Sequence, residues 1–340
     1  MKDYVSIECD GESPALDDLK AAERFYDSRY RHSYMESWPA EKCARIRKLL
    51  LELPLPDHGR VLDFGCGCGV FTALLKAVLP KWEVYGIDIS SAAVEIAACK
   101  LPDCSFHLLS ECNRLHGTFD LIFSHHVLEH VSNISETAEL LERLLAPGGA
   151  MLHILPCADP GSLEHTICSL RRDGFVGEYE KRFVLDEEGH LRRLTTEGLA
   201  SLWSNYRVGR AYYANRLFGG LKFLTTHEHG FRDVVEAADP ARAVDRSAGS
   251  RLKVLRFFLV SLWALRRPSC VIKNKLAYGL KSPKDFILLV LALAGYPLSK
   301  LTDFVLDHYS DREWSKNREQ LGGSEMYVFF VRSQTLKANS

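Results

Sequence analysis

Net charge is almost absent from this chain: 43 Lys and Arg stand against 44 Asp and Glu in 340 residues, a balance of −1. The strongly basic total of a nucleic-acid binder is therefore missing. Ten cysteines are present, but there is no C-x-x-C pair and no zinc-type spacing. The chain is also too long for a small disulfide scaffold, so its thiols are expected to be reduced and its setting cytoplasmic. No signal peptide is expected, because Met1 to Asp18 is acidic and polar. No uninterrupted apolar run reaches the roughly 18–20 residues that a bilayer crossing requires.

The near-zero total hides a local excess. Residues 251–300 hold ten Lys or Arg and one acid, Asp285, so this stretch alone carries +9. It also holds two strongly apolar runs. Val254 to Leu265 contains one charge, Arg256, and Phe286 to Leu298 is thirteen residues without any. Both are too apolar for an exposed helix of a soluble domain. They are expected either to form a helical cap packed on the core or a dimer interface, or to dip into an anionic membrane surface. Clustered cations and the aromatics Phe257, Phe258, Trp263 and Tyr278 suit the membrane reading. Nucleic acid is not expected as a partner, since the charge is interleaved with long aliphatics.

A third small residue is missing from the glycine-rich loop as well. Val61-Leu-Asp-Phe-Gly-Cys-Gly-Cys-Gly-Val-Phe-Thr72 reads as a buried strand, a tight loop and a helix start. A G-x-G-x-x-G dinucleotide loop needs a small residue where this chain has Val70 or Thr72. The pattern present is D-x-G-x-G-x-G, beginning at Asp63. Gly65, Gly67 and Gly69 let the backbone turn sharply and let a ligand approach it.

Further motifs follow in order. Trp82 to Asp88 is an apolar run ending in an acid, and a carboxylate there can accept hydrogen bonds from a ribose diol. Ser105 to Leu109 runs into Ser110-Glu111-Cys112. Phe119 to Ser124 runs into His125-His-Val-Leu-Glu-His-Val131, and a helix is predicted over about Ile134 to Leu145. Pro147-Gly148-Gly149 precedes a fifth strand, Ala150 to Leu155. The series V-L-D-x-G-C-G, G-x-D, F-D-L-I, V-L-E-H-V and L-A-P-G-G resembles the class I S-adenosylmethionine (SAM) methyltransferases, of the ubiquinone-biosynthesis-like or general type, over Val61 to Leu155.

The resemblance implies an α/β fold, a Rossmann-like seven-stranded sheet, with SAM as cofactor. Tyr206 to Asn215 is predicted as the sixth strand and Ser324 to Val331 as the seventh. That order leaves a large helical insertion before the last strand. The expected organisation is a tail and helical lid over 1–53, a SAM-binding core over 54–216, a basic and apolar insertion over 217–323, and the last strand and tail over 324–340. Pro156 to Leu194 reads as charged and irregular.

The resemblance also implies a cofactor set of Asp63, Gly65, Cys66, Gly67, Gly69, Asp88, Ile89, Glu111, Cys112 and Ser124. Tyr26, Tyr30 and Trp38 of the N-terminal segment are expected either to line the acceptor site or to be core. Residues after the fourth strand face the reacting centre, so His126, His125 and His130 are the candidate catalytic residues, with one of the first two as base. Glu129 and His130 are placed on the first turn of the next helix. Some relatives bind a divalent metal through E-x-x-E-H here. This chain has His126 in place of the first acid, and no metal is expected. His227-Glu228-His229 is assigned no role. Arg171, Arg172, Arg192 and Arg193 could bind an acidic group on the acceptor or be solvated.

Oxygen is the expected methylated atom, because histidines suit hydroxyl deprotonation and the Asn/Asp-Pro-Pro-Tyr signature of amino-group methylation is absent. The acceptor is expected to be small or lipid-linked, with the protein cytoplasmic or peripheral at the inner face of a membrane. A soluble metabolite methyltransferase and a non-catalytic SAM-binding scaffold are the alternatives.

Overall fold

The computed structural model describes residues 19–333 except 33, 36, 178–181, 188 and 227–229. The predicted loose tail over 1–18 and the His227-Glu228-His229 cluster lie outside the described residues.

Helices α1 (Leu19–Arg31) and α2 (Ala40–Glu52) come first, followed by alternating strands and helices. These are β1 (Arg60–Phe64), α3 (Val70–Val78), β2 (Glu83–Asp88), α4 (Ser91–Lys100), β3 (Ser105–Leu108), β4 (Phe119–His125), α5 (Ile134–Leu144) and β5 (Leu145–Pro156). Then come α6 (Leu163–Ser169), the short β6 (Phe175–Val176) and β7 (Arg182–Phe183), α7 (Thr196–Ala200) and β8 (Tyr206–Ala214). The last elements are α8 (Phe218–Leu224), α9 (Phe231–Ala237), α10 (Arg246–Tyr278), α11 (Pro283–Asn317) and β9 (Glu325–Arg332).

Seven strands form one sheet in the order β3-β2-β1-β4-β5-β9-β8. β1 pairs in parallel with β2 and β4, and β4 in parallel with β5. β1 and β4 are buried along nearly their whole length, as parallel strands covered on both faces require. β1 and β4 therefore lack the polar alternation of a half-exposed strand. The sheet reverses direction of progression between β1 and β4, and ligands in open α/β sheets bind at the strand ends beside such a point.

Two compact units are present. One comprises 19–155, Thr196–Ala211 and 327–333, and the other Pro156–Thr195 and Tyr212–Met326. The first holds a polar pair that hydropathy does not announce. Ser124 Oγ and His153 Nδ1 lie 2.7 Å apart toward the C-terminal ends of β4 and β5, with the His153 ring stacked on Trp203 at 5.1 Å. Burial pushes His153 down to about 3, so it is a neutral core residue.

The second unit includes Pro156 to Thr195, which the sequence leads one to expect as irregular. α6 and the β6–β7 pair are built there, because Leu163, Ile167 and Leu170 join Leu224, Val234 and Leu252 in one core cluster. Of the four arginines singled out in this stretch, Arg171, Arg192 and the Arg193 side chain are buried and Arg172 is exposed. Arg193 is buried between Glu164 Oε2 at 2.6 Å and Asp186 Oδ1 at 2.7 Å. Arg171 is buried on Asp173 and on the carbonyls of Glu236 and Ala237. Arg172 donates to Ala241 O, and Arg192 is buried. Burying an arginine requires such partners, so the charges of this segment hold its fold together.

α10 and α11 form a long helical hairpin within the same unit, and the apolar runs lie on it. The second run is the N-terminal part of α11, and the helix continues beyond it to Asn317 with Pro297 inside it. Among the described residues α11 is thus one helix long and apolar enough to cross a membrane by length and composition. Its buried residues, Ala292, Ser299, Leu306, Ser310 and Trp314, form one narrow seam at near-heptad spacing. Gly295 sets the close approach, since a Cβ there would lie 2.8 Å from Pro268 Cγ. Ser299 Oγ accepts from Ser269 N–H (3.1 Å) and lies 3.0 Å from Arg266 O, serving backbone groups beside the Pro268 break. Much of the apolar surface off the seam is left outside: Phe286, Ile287, Leu291 and Leu293 are more than half exposed.

Candidate active site

The glycine loop joins β1 to α3. Gly65, Gly67 and Gly69 all take positive φ, at 76°, 50° and 85°. Two of them are also places of close approach. A Cβ on Gly65 would meet Val127 Cγ2 at 2.4 Å, and one on Gly67 would meet the Tyr30 hydroxyl at 2.7 Å. The loop is therefore packed between the segment after β4 and helix α1. Gly65 N and Cys66 N donate to Ile87 O, tying it to β2.

Asp88 ends β2 beside this loop. Its carboxylate accepts from Gly67 N at 2.8 Å and from Ser90 N at 2.9 Å. Burial pushes its carboxyl up, against the amide bonds that stabilise the ionised form. The Ile89 amide also bonds this carboxylate, which leaves it fewer than two free lone-pair directions per oxygen but still able to accept a hydroxyl. Asp63 lies deeper. Thr72 Oγ1 donates to it at 2.6 Å, and burial pushes it up to about 7. Its carboxyl braces the start of α3. A tight glycine loop at a helix start, next to a buried carboxylate at a strand end, suits a ligand that lies close against the backbone and presents a diol. The residues present fit SAM on that ground.

The other expected cofactor residues are placed as follows. Ile89 is half-buried between Asp88 and Ser90, and the buried Cys66 points its thiol at Gly67 O. Glu111 accepts from Leu108 N and caps the turn after β3, while Cys112 is buried in that turn. Ser124 is committed to His153 and nearly sealed from solvent.

Helix α1 covers the loop. Asp27 accepts from Ser91 Oγ and Ala92 N at 3.1 Å each, pinning α1 to the start of α4. That contact carries Tyr26 and Tyr30 over the cofactor end, where burial pushes both phenols far up. Tyr26 feels both Asp88 and Glu129, so it spans from the cofactor carboxylate to the residues after β4. Its ring is edge-on to His130 at 6.3 Å.

The residues after β4 form the second half of the site. His125 is buried, 4.2 Å from the Phe71 ring and 4.5 Å from Trp38. His126 follows at φ 53°, a conformation that non-glycine residues adopt only when their surroundings impose it. Its amide donates to Ile154 O, and its ring stacks on Trp38 at 5.7 Å. His126 Nδ1 is 2.8 Å from Glu129 Oε1, and Lys42 Nζ is 3.3 Å from His126 Nε2. An ammonium can only donate, so Nε2 carries the lone pair and the ring proton is left on Nδ1, on the Glu129 side.

Glu129 and His130 are not on a helix. They lie in a turn, and α5 begins at Ile134 behind the cap Asn133. The turn aims Glu129 back at His126. Lys42 is a neighbour of the candidate base that sequence reasoning does not single out. Lys42 sits 84 positions from its partner, beyond any local spacing rule, whereas the V-L-E-H-V motif contains Glu129.

Residues 31–206 match the family described as the methyltransferase domain, just over half of the chain. Over 117 residues the chain is 34% identical to trans-aconitate 2-methyltransferase of Methylobacterium radiotolerans, covering 34% of this chain and 45% of that protein. It is 35% identical over 144 residues to the enzyme of that name from Shigella dysenteriae, covering 42% and 56%. The chain thus spans about half the length of these curated relatives. A solved SAM-dependent methyltransferase from Anabaena variabilis aligns with 57% of this chain and 83% of its own, at 20% identity and a TM-score of 0.42. By the match over 31–206, and with the glycine loop and buried Asp88 already in place, the chain belongs to the methyltransferase-domain family, the class I methyltransferases whose cofactor is SAM.

Proposed function

We propose that this chain methylates a hydroxyl oxygen, with His126 as general base. The single observation that carries this reading is the Lys42–His126–Glu129 arrangement. Bound SAM supplies a methyl group on a sulfonium, an electrophile that needs no further activation. The protein's part is alignment and removal of the acceptor's proton. The acceptor hydroxyl enters where Lys42 now meets Nε2. His126 Nε2 takes its proton, the oxygen's electron pair forms the new bond to carbon, and the S–C bond electrons stay on sulfur. Glu129 holds the resulting imidazolium, and Lys42 lies beside the developing oxyanion. Trp38 and Phe71 give the acceptor an apolar wall.

The acceptor is hydrophobic or lipid-linked and is met at a membrane surface, with the protein peripheral at the inner face. The exposed apolar residues of α11 and the ten cations of residues 251–300 support this. The relatives' names support a second reading, a small soluble acid as acceptor. A carboxylate arrives without a proton and needs no base, so the two readings differ in their need for His126. The test follows S-adenosylhomocysteine release with phenolic and polyprenyl hydroxyl compounds and with trans-aconitate, on the full chain and on His126→Asn. Hydroxyl turnover that the variant loses supports the proposal. Turnover of trans-aconitate alone, undiminished in the variant, contradicts it.

A further inference from the structure

The hairpin carries a half-open cavity of about 390 Å³, between the middle of α10, the middle of α11 and the end of α8. Its lining is unusual in charge. Arg266, Arg267, Lys273 and Lys300 face it against a single acid, Asp303. Arg266 takes that acid, at 2.8 Å, and is anchored further on Lys222 O and Thr225 Oγ1. Arg267, Lys273 and Lys300 have no ion pair among the described residues. Three uncompensated cations around one cavity repel each other unless an anion joins them.

All three side chains reach solvent, and two of them are laid over aromatic rings. The Arg267 guanidinium lies 5.1 Å over the Trp263 ring, and Lys300 lies 5.6 Å over Tyr296. Both aromatics line the cavity. Thr226 Oγ1, also in the lining, is buried without a hydrogen-bond partner among the described residues. Such an atom is a donor in want of an acceptor. The cavity thus offers convergent cations and an unused hydroxyl, the donor set of a phosphate site. Apolar surface begins at its rim: Leu276 is 79% exposed, and Phe286 to Leu293 of α11 follow on the same hairpin.

We propose that this cavity binds the phosphate of an anionic phospholipid whose acyl chains lie along the exposed apolar face of α11. Basic pockets between helices at a membrane surface recognise headgroups in this way. The proposal rests on the reading that the hairpin meets a membrane, and it adds a defined headgroup site to that reading. It makes the cavity the element that fixes how the protein sits on the lipid. Diffuse charge gives no such orientation.

The test is vesicle sedimentation of the full chain, on phosphatidylcholine alone and mixed with phosphatidylglycerol. Two triple variants are compared: Arg267→Gln/Lys273→Gln/Lys300→Gln in the cavity, and Arg251→Gln/Lys253→Gln/Lys284→Gln on the same hairpin outside it. SAM affinity of each variant reports that it has folded. The wild-type chain is expected to prefer the anionic vesicles. The cavity triple is expected to weaken that binding about tenfold or more, and the outer triple by much less. Equal weakening by both triples would mean that net charge alone is read, and the headgroup site falls. Binding to phosphatidylcholine that ignores phosphatidylglycerol would also remove the site but leave the membrane reading standing. No binding to either vesicle overturns both. In that case a titration with inorganic phosphate that saturates, and that the cavity triple abolishes, would assign the cavity to a soluble phosphate ligand.

Discussion

His126 Nδ1 lies 2.8 Å from Glu129 Oε1, on a backbone held at φ 53°. Glu129 is almost wholly buried, so its charge is directed at one ring nitrogen. The strained residue and the buried acid fix the imidazole in one orientation and one tautomer. Removing the base should lower methyl transfer to a hydroxyl acceptor by about 10²–10⁴-fold in His126→Asn. SAM affinity should not change. Glu129→Gln should slow transfer less and leave KM close to wild type. The acid limb of the pH–rate profile should be lost in His126→Asn. Equal rates in wild type and variant would remove the base from the account.

Gly67 is the point at which the cofactor loop meets helix α1. Gly67→Ala adds a Cβ at φ 50° and 2.7 Å from the Tyr30 hydroxyl. The cost should be about 1–3 kcal/mol of stability, with weakened SAM binding. Tyr30→Phe removes the atom that the new Cβ would strike. The double variant should therefore recover part of the loss, as a thermal melt of the four proteins would show. Strict additivity of the two changes would contradict the contact.

Asp63 gives a pH dependence of definite sign. Its folded value, about 7, lies above the ordinary 3.8 because it is buried. A carboxyl raised in this way costs stability wherever the unfolded chain has ionised it. The cost grows as pH rises from about 4 to about 7 and is level above that. Asp63→Asn removes the ionisation and can keep the bond from Thr72. Its melting temperature should exceed wild type most at pH 8 and little at pH 4, by the equivalent of about 2 kcal/mol or more at the upper end. A difference that does not vary with pH would show that Asp63 is not held neutral by burial.

Gly295 sets the spacing of the α10–α11 hairpin. Gly295→Val forces a side chain onto Pro268 and should lower the melting temperature, at a cost of about 1–3 kcal/mol. Gly279→Ala is the control: its new Cβ would meet nothing within 4 Å, although the φ of 74° carries its own smaller cost. A Gly295 variant as stable as wild type would mean that the two helices do not pack through this point.

The strands were legible because a parallel sheet buried on both faces leaves continuous apolar runs. Val61 to Phe64 and Phe119 to Ser124 come near this, each broken by one acid, Asp63 or Asp120. The cofactor loop was legible because only glycine tolerates its angles. Pairings across the fold were not. Nothing local links Lys42 to His126, or Ser124 to His153, and a histidine inside Leu152-His153-Ile154 gives no hint of a buried partner. The charged look of 171–193 misled for a related reason: spacing does not report that Arg193 is enclosed by Glu164 and Asp186. The full length of α11 was not legible either: the apolar run stops at Leu298, but the Ala292–Ser299–Leu306 seam continues past it on the same helix.

The central claim is tested most directly by calorimetric titration of the full chain with SAM and S-adenosylhomocysteine, with NADH as control and Asp88→Ala as the variant. The account predicts micromolar binding of both sulfur ligands, none of NADH, and loss of binding in the variant. Binding of NADH alone, or SAM affinity that survives the loss of the Asp88 carboxylate, would contradict it.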